Sequence, residues 1–234
     1  MKDFIASKDW RGALEVGLSG LSETRDPVVK AELHRLVGSI LLITADEKQA
    51  LVHLTSYLEV APPGEKRGMA LYNVGLIHAQ RGDLDKAESA LAEAATHFTG
   101  ARLGDCQLSQ AFVATRQGKY GAAQGFLDSA TKNIPAEDAR LQAQYQCEYA
   151  YLWRSTGRVE AAATLCESVL SQTATHHAHA LAAWNLASIA LSQGDTAKAQ
   201  SWADAMRTSY IAGGQQSGLG SLLNELTAAI ARVA

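Results

Sequence analysis

Proline is scarce in this chain of 234 residues: Pro27, Pro62, Pro63 and Pro135 are the whole complement. Long helices are therefore permitted over most of its length, because a proline inside a helix removes a backbone hydrogen bond and clashes with the turn before it. Cysteine is scarce as well. Cys106, Cys147 and Cys166 form no C-x-x-C pair, and their odd number argues against a secreted disulfide framework, so a reducing cytoplasm is the expected location. The formal net charge is −3 and no Lys/Arg run stands out, so the basic excess that neutralises phosphates is missing and direct nucleic-acid binding is not expected. The segment "MKDFIASKDWRGALEVGL" has no continuous apolar stretch and "SILLITA" is too short to span a bilayer, so no membrane anchor is read. Alternating strand patterns are missing too.

What the chain does have is apolar residues at three- and four-residue spacing, cut by glycine and proline into segments of a dozen or more residues. This predicts an all-helical chain with short turns. A fixed interval then appears. The segments "KDWRGA", "ADEKQA", "GDLDKA", "GKYGAA", "GRVEAA" and "GDTAKA" end on Ala13, Ala50, Ala87, Ala123, Ala162 and Ala199, at intervals of 37, 37, 36, 39 and 37 residues. Gly82, Gly118, Gly157 and Gly194 each lie five residues before one of these alanines. Seven residues further back stands another small residue, Gly75, Ala111, Ala150 or Ala187, and Gly38 holds that place before Ala50. The first glycine suits a left-handed position at a helix C-terminus. The small pair lets two antiparallel helices approach closely. Each unit reads as a hairpin of about 14 plus 14 residues, at ~1.5 Å rise per residue in each helix.

The pattern resembles the tetratricopeptide repeat, most closely in "VGLIHAQRGDLDKAESALAEA" and "LASIALSQGDTAKAQSWADA". The period exceeds the usual length of that repeat, as in looser bacterial arrays, and the early aromatic is often missing. The resemblance implies an all-α, right-handed superhelical solenoid of antiparallel helix pairs. It implies about five full repeats, a truncated first one and a C-terminal capping helix. The expected units are 1–26, 27–64, 65–99, 100–135, 136–173 and 174–213, with the cap at 215–234, all in one domain of residues 1–234. A non-repetitive helical bundle is the alternative, but a bundle needs no fixed period. Only about eight residues precede the first turn, which is read either as a short frayed start or as a piece of a longer protein.

Chemistry has little to stand on. His176, His177 and His179 cluster at a predicted helix start, and His176 with His179 has the spacing of a helical metal pair, but no Cys or acidic residue nearby completes a shell. Solvated histidines and packed cysteines are the expectation, with no metal and no cofactor. There is no G-x-S-x-G elbow, P-loop or H-E-x-x-H, and "SGLGS" near Gly218 is a weak hint only. No catalytic residue is assigned and the chain is not expected to be an enzyme.

In a tetratricopeptide-like array the first helix of each unit lines the concave surface. That register nominates Arg35 and Ser39, then Tyr72, Asn73, Leu76 and Gln80, then Phe112 and Arg116. Further along it nominates Glu148, Tyr151 and Arg154, and last Trp184, Asn185 and Ser188. Rigid aromatics beside Asn and Arg can grip a peptide backbone and its side chains. The aromatics could equally close the gaps between neighbouring hairpins, and that choice stays open. Asn73 also matches the clamp asparagine of relatives that hold a C-terminal carboxylate, but Asp105 and Ser109 stand where that clamp needs basic residues. The expected function is non-catalytic protein or peptide binding, with some negative charge on the ligand. The alternative is the sensory or oligomerising portion of a bacterial peptide-responsive transcriptional regulator, its DNA-binding domain lying outside this chain. A homodimer is a further expectation to test.

Overall fold

The computed structural model describes residues 7, 9–44, 46–172, 175–213 and 217–233. These residues form α1 (Trp10–Glu23), α2 (Pro27–Ile43), α3 (Glu47–Leu58), α4 (Glu65–Gln80), α5 (Leu84–Ala95), α6 (Gly100–Arg116), α7 (Tyr120–Ala130), α8 (Ala139–Ser155), α9 (Val159–Ser171), α10 (His176–Ser192), α11 (Thr196–Ala212) and α12 (Ser217–Val233). Among the described residues there is no strand. The expected short first helix before Trp10 falls almost entirely on residues outside those described.

Local chemistry explains where the helices start. The carboxylates of Asp9, Asp26, Asp46, Asp138 and Asp195 accept backbone N–H groups two or three residues on, as does the Thr175 hydroxyl oxygen. Such caps satisfy donors that the first turn leaves open, each worth about 1 kcal/mol. Pro27 occupies the first position of α2 and does not lie in the connecting segment, because the missing N–H costs nothing there. At the other end, Gly82, Gly118, Gly157 and Gly194 have φ between 73° and 86°, the left-handed conformation expected of the turn glycines.

The hairpins are less symmetric than the sequence spacing suggests. First helices α2, α4, α6, α8 and α10 run 16 or 17 residues, while α3, α5, α7 and α9 run 11 to 13. The longer helices carry the face that matters below.

All six register alanines, Ala13, Ala50, Ala87, Ala123, Ala162 and Ala199, are fully buried. A β-carbon added to Gly38 would lie 2.8 Å from Leu54 Cγ, and one added to Gly75 would lie 2.8 Å from Leu91 Cγ. Each leucine sits four residues after a register alanine and fills the space its glycine leaves. Later hairpins carry Ala111, Ala150 and Ala187 in the glycine position, opposite Leu127, Cys166 and Ala203 in the same register. Burying one such leucine stabilises the fold by about 1.5–3 kcal/mol.

The chain divides into two compact units, Met1–Phe98 and Thr99–Ala234. In the first, α2 pairs with α3 and α4 with α5, around Val37, Leu41, Leu54, Tyr57, Val74 and Ile77. In the second, α6 pairs with α7, α8 with α9 and α10 with α11, while α6, α8 and α10 also pack side by side. Helix α12 buries Leu219, Leu222, Leu223, Leu226 and Ile230, and packs on both α10 and α11. Among the described residues no helix is long and apolar enough to cross a membrane.

Candidate functional site

In the unit beginning at Thr99, four-residue spacing places Phe112 and Arg116 on one face of α6. The neighbouring helices bring their own residues to the same place. Phe112, Tyr151 and Trp184 meet as an aromatic trio contributed by α6, α8 and α10, with ring centroids 5.6 Å (Phe112 to Tyr151), 4.9 Å (Tyr151 to Trp184) and 6.4 Å (Phe112 to Trp184) apart. Such tilted and edge-on pairs each add about 0.5–1.5 kcal/mol beyond burial. The trio therefore both joins three hairpins and forms an ordered aromatic surface.

Two guanidiniums lie on it. Arg154 is 5.0 Å from the Tyr151 centroid and 4.7 Å from that of Trp184, and Arg116 is 5.8 Å from Phe112. Contacts of this kind are worth about 0.5–2 kcal/mol each, more where water is excluded. Arg154 is half-buried, its Nε is shut off from solvent without a hydrogen-bond partner, and burial presses its pKa downward. It remains protonated, since guanidinium does not deprotonate in proteins. Burial raises the Tyr151 phenol, against the pull of Arg154 and Arg116.

Glu148 does not neutralise that charge. It is 7 % exposed, and burial raises its carboxyl pKa to about 8, with no cation offsetting the shift. At pH 7 it is mostly a neutral acid. Arg116 instead finds its acid on the last helix: Nη2 donates to both carboxylate oxygens of Glu225 at 3.2 Å. Asn185 is 1 % exposed and its Nδ2 donates to Cys147 O and Leu181 O at 3.2 Å, tying α10 to α8 and leaving Oδ1 buried without a partner. Thus Glu148, Trp184 and Asn185 form a floor beneath the face; they do not stand open on it. Ser188 is occupied by a bond to Trp184 O at 2.8 Å.

The remaining nominated residues lie in the unit ending at Phe98. Tyr72, Asn73, Leu76 and Gln80 are all half-buried on α4, and Tyr72 meets Phe98 edge-on at 6.4 Å. Arg35 on α2 is held by Glu32, with Nε to Oε2 at 3.1 Å and Nη2 to Oε1 at 2.7 Å, and Lys66 reaches the same carboxylate at 3.0 Å. The guanidinium beside Glu32 and the Lys66 ammonium hold its carboxyl down at about 2, against the opposing effect of burial. Ser39 bonds back to Arg35 O.

Glu225 was not among the residues nominated from sequence. One signal was readable: Glu225 and Arg232 are the only charged residues of α12. The other candidates for chemistry are plain. Burial raises Cys106 and Cys166 to about 12, and Cys147 well above its ordinary value; all three are buried and none is in a disulfide. His179 Nε2 lies 3.2 Å from Gln172 O. Among the described residues no group of three or more His, Cys, Asp or Glu side chains is placed to hold a metal ion.

Comparison with known proteins agrees with this fold. The tetratricopeptide repeat family model matches residues 68–93 and 180–205, which span the α4–α5 and α10–α11 hairpins. No curated protein sequence matches the chain. Among solved structures, a tetratricopeptide repeat protein from Parabacteroides merdae is similar with a TM-score of 0.66 at 13% identity, over 99% of this chain and 93% of that one. NprR in complex with its cognate peptide NprX is similar with a TM-score of 0.72 at 18% identity, over 96% of this chain and 67% of that one. The anaphase-promoting complex hetero-tetramer Cut9–Hcn1 gives 0.63 at 16% identity, with 97% of this chain covering 46% of the other. With the fully buried alanine register, the left-handed turn glycines and the two matched hairpins, the chain has the fold of tetratricopeptide repeat proteins and carries two segments that match the model of that family.

Proposed function

We propose that this protein is a non-catalytic binding module that grips a peptide or protein segment on the face formed by the first helices α6, α8 and α10 of the unit beginning at Thr99. The gripping residues are centred on Phe112, Arg116, Tyr151 and Arg154, over a floor of Glu148, Trp184 and Asn185. Tyr72, Asn73, Gln80 and Arg35 are the corresponding candidates in the other unit. The observation that carries this reading is Arg154: a half-buried guanidinium laid on two aromatic rings, with a shielded Nε that has no hydrogen-bond partner. A partly desolvated cation with an unmet donor costs folding free energy, and a ligand that supplies hydrogen-bond acceptors recovers it. Peptide binding in NprR, whose fold this chain shares, supports the same reading.

The test is a random-peptide display selection against the whole chain, followed by affinity measurement on Arg154→Met and Tyr151→Ala proteins whose circular dichroism remains helical. Enriched peptides should lose at least about tenfold in affinity on Arg154→Met, the cost of one charged hydrogen-bonding group. Peptides that bind both variants as they bind the unsubstituted chain would move the site elsewhere. A second reading follows from the likeness to NprR: the array is the sensory or oligomerising portion of a peptide-responsive regulator. Light scattering with and without the selected peptide decides that one, since an unchanged mass at every protein concentration counts against it.

A further inference from the structure

We infer that Glu225 of α12 is an internal stand-in for an acidic group of the partner, so that α12 and the partner compete for Arg116. This rests on the reading of the first-helix face as the binding site.

The contact is unusual for its place in the chain. Arg116 ends α6 and Glu225 lies midway along α12, separated by 109 residues in sequence. The apolar stripe of α12, Leu219, Leu222, Leu223, Leu226 and Ile230, already seats it on α10 and α11. Glu225 is not needed for that seating. What it adds is a carboxylate delivered to Arg116, which lies on the Phe112 ring.

Charge counting gives the partner's chemistry. The face offers two guanidiniums, Arg116 and Arg154, and burial keeps Glu148 mostly neutral at pH 7. Among the described residues the chain supplies these two guanidiniums with one carboxylate, Glu225, which bonds Arg116. An acidic segment laid along Phe112, Tyr151 and Trp184 would meet Arg154 vacant and Arg116 taken. Side chains of the Arg116–Glu225 pair are 21 % and 48 % exposed, so the bond is screened by solvent and readily exchanged. Exposed pairs of this kind suit a competitor that must be displaced, and a deeply buried pair would not.

The probe is an N-acetylated, C-amidated tetraglutamate peptide carrying a fluorophore, titrated at low salt with anisotropy as the readout, against a tetraglutamine peptide of the same length. The unsubstituted chain should bind the acidic peptide in preference to the neutral one. Glu225→Gln should tighten that binding about two- to fivefold, the range of an exposed ion pair. Arg116→Ala should weaken it, and adding Glu225→Gln to Arg116→Ala should change nothing further. The exchanged pair Arg116→Glu with Glu225→Arg keeps an internal bond and should lose the acidic peptide. If Glu225→Gln binds as the unsubstituted chain does while Arg154→Met and Arg116→Ala both weaken binding, the competition is wrong and the binding face stands. If neither the unsubstituted chain nor Glu225→Gln takes the acidic peptide, yet peptides selected by display still bind through Arg154, the acidic partner is wrong. Loss of all Arg154-dependent peptide binding would remove the face itself.

Discussion

Arg35 in the unit ending at Phe98 and Arg154 in the unit beginning at Thr99 both stand on first helices of their hairpins, yet their surroundings are opposed. Arg35 has its own carboxylate three residues away in Glu32, held bidentate and further tied to Lys66. Arg154 has the Tyr151 and Trp184 rings and the buried Cys166 thiol for neighbours, and among the described residues no acid is paired with it. The same contrast runs through the carboxyls: Glu32 is held ionised down to about pH 2, while Glu148 keeps its proton up to about pH 8. Arg35 has its charge balanced within its own unit. Arg154 leaves polar capacity unspent, which a stable fold tolerates only at a cost or for a ligand.

Changing pH should separate the two units most strongly at Glu148. Its folded pKa of about 8 lies above the ordinary 4.5, so the folded state holds a proton that the unfolded state gives up. Stability from this group is full below about pH 4.5 and falls as pH rises towards 8, by on the order of 5 kcal/mol at about 1.36 kcal/mol per unit. Glu148→Gln should therefore match the unsubstituted chain in urea melts at pH 4 and exceed it at pH 9. Equal pH slopes for the two proteins would show that the Glu148 carboxyl titrates normally. Next in size is the hairpin contact. Leu91→Ala, which opens the space against Gly75, should cost about 2–5 kcal/mol in the same melts. Cys166→Ala, in the same register of the other unit, removes one sulfur and should cost less than half as much. A cost for Cys166→Ala as large as that for Leu91→Ala would mean that hairpin packing does not grade with the small residue opposite.

Much of this was readable in the sequence, for physical reasons that differ by feature. Ala87 and its equivalents repeat because every hairpin needs the same close approach, and Gly82 and its equivalents because every first helix ends in the same left-handed turn. These are local requirements, so they leave a period. Asn73 and Asn185 share a register but not a fate: α10 is buried nearly all round and uses the Asn185 amide to reach α8, while α4 leaves Asn73 half-buried on its face. Burial all round depends on what packs from outside, which one helix's spacing does not encode. Glu148 read as a groove residue for the same reason, since its register is right and its depth is set by the helices on either side. The Arg116–Glu225 pair joins positions that share no register at all.

Acid should produce a smaller response, and in the opposite unit. His34 on α2 and His53 on α3 stand with their Nδ1 atoms 3.0 Å apart, one ring donating to the other. Burial lowers both pKa values, helped at His34 by Lys30, opposed there by Glu59, and helped at His53 by His34. Protonation therefore favours the unfolded chain: stability is present above pH 6.5 and is lost as pH falls below it. His53→Gln should flatten the urea-melt slope between pH 6.5 and 5, and an unchanged slope would show that the pair is not what titrates.

Smallest of all should be Glu32→Gln. The carboxyl is lowered to about 2, so its stabilisation is present above pH 4.5 and lost as pH falls towards 2. Its side chain is 36 % exposed and Lys66 is 66 % exposed, so solvent screens much of that effect and about 1 kcal/mol or less remains at pH 7. Below pH 2 the substituted and unsubstituted chains should melt alike. Raising the salt to 1 M should shrink the pH 7 difference, since partly exposed pairs are screened over about 3 Å. A Glu32→Gln loss as large as that of Leu91→Ala, and indifferent to salt, would mean that Arg35 depends on its acid as a buried guanidinium does. The contrast with Arg154 would then have to rest on the aromatic rings alone.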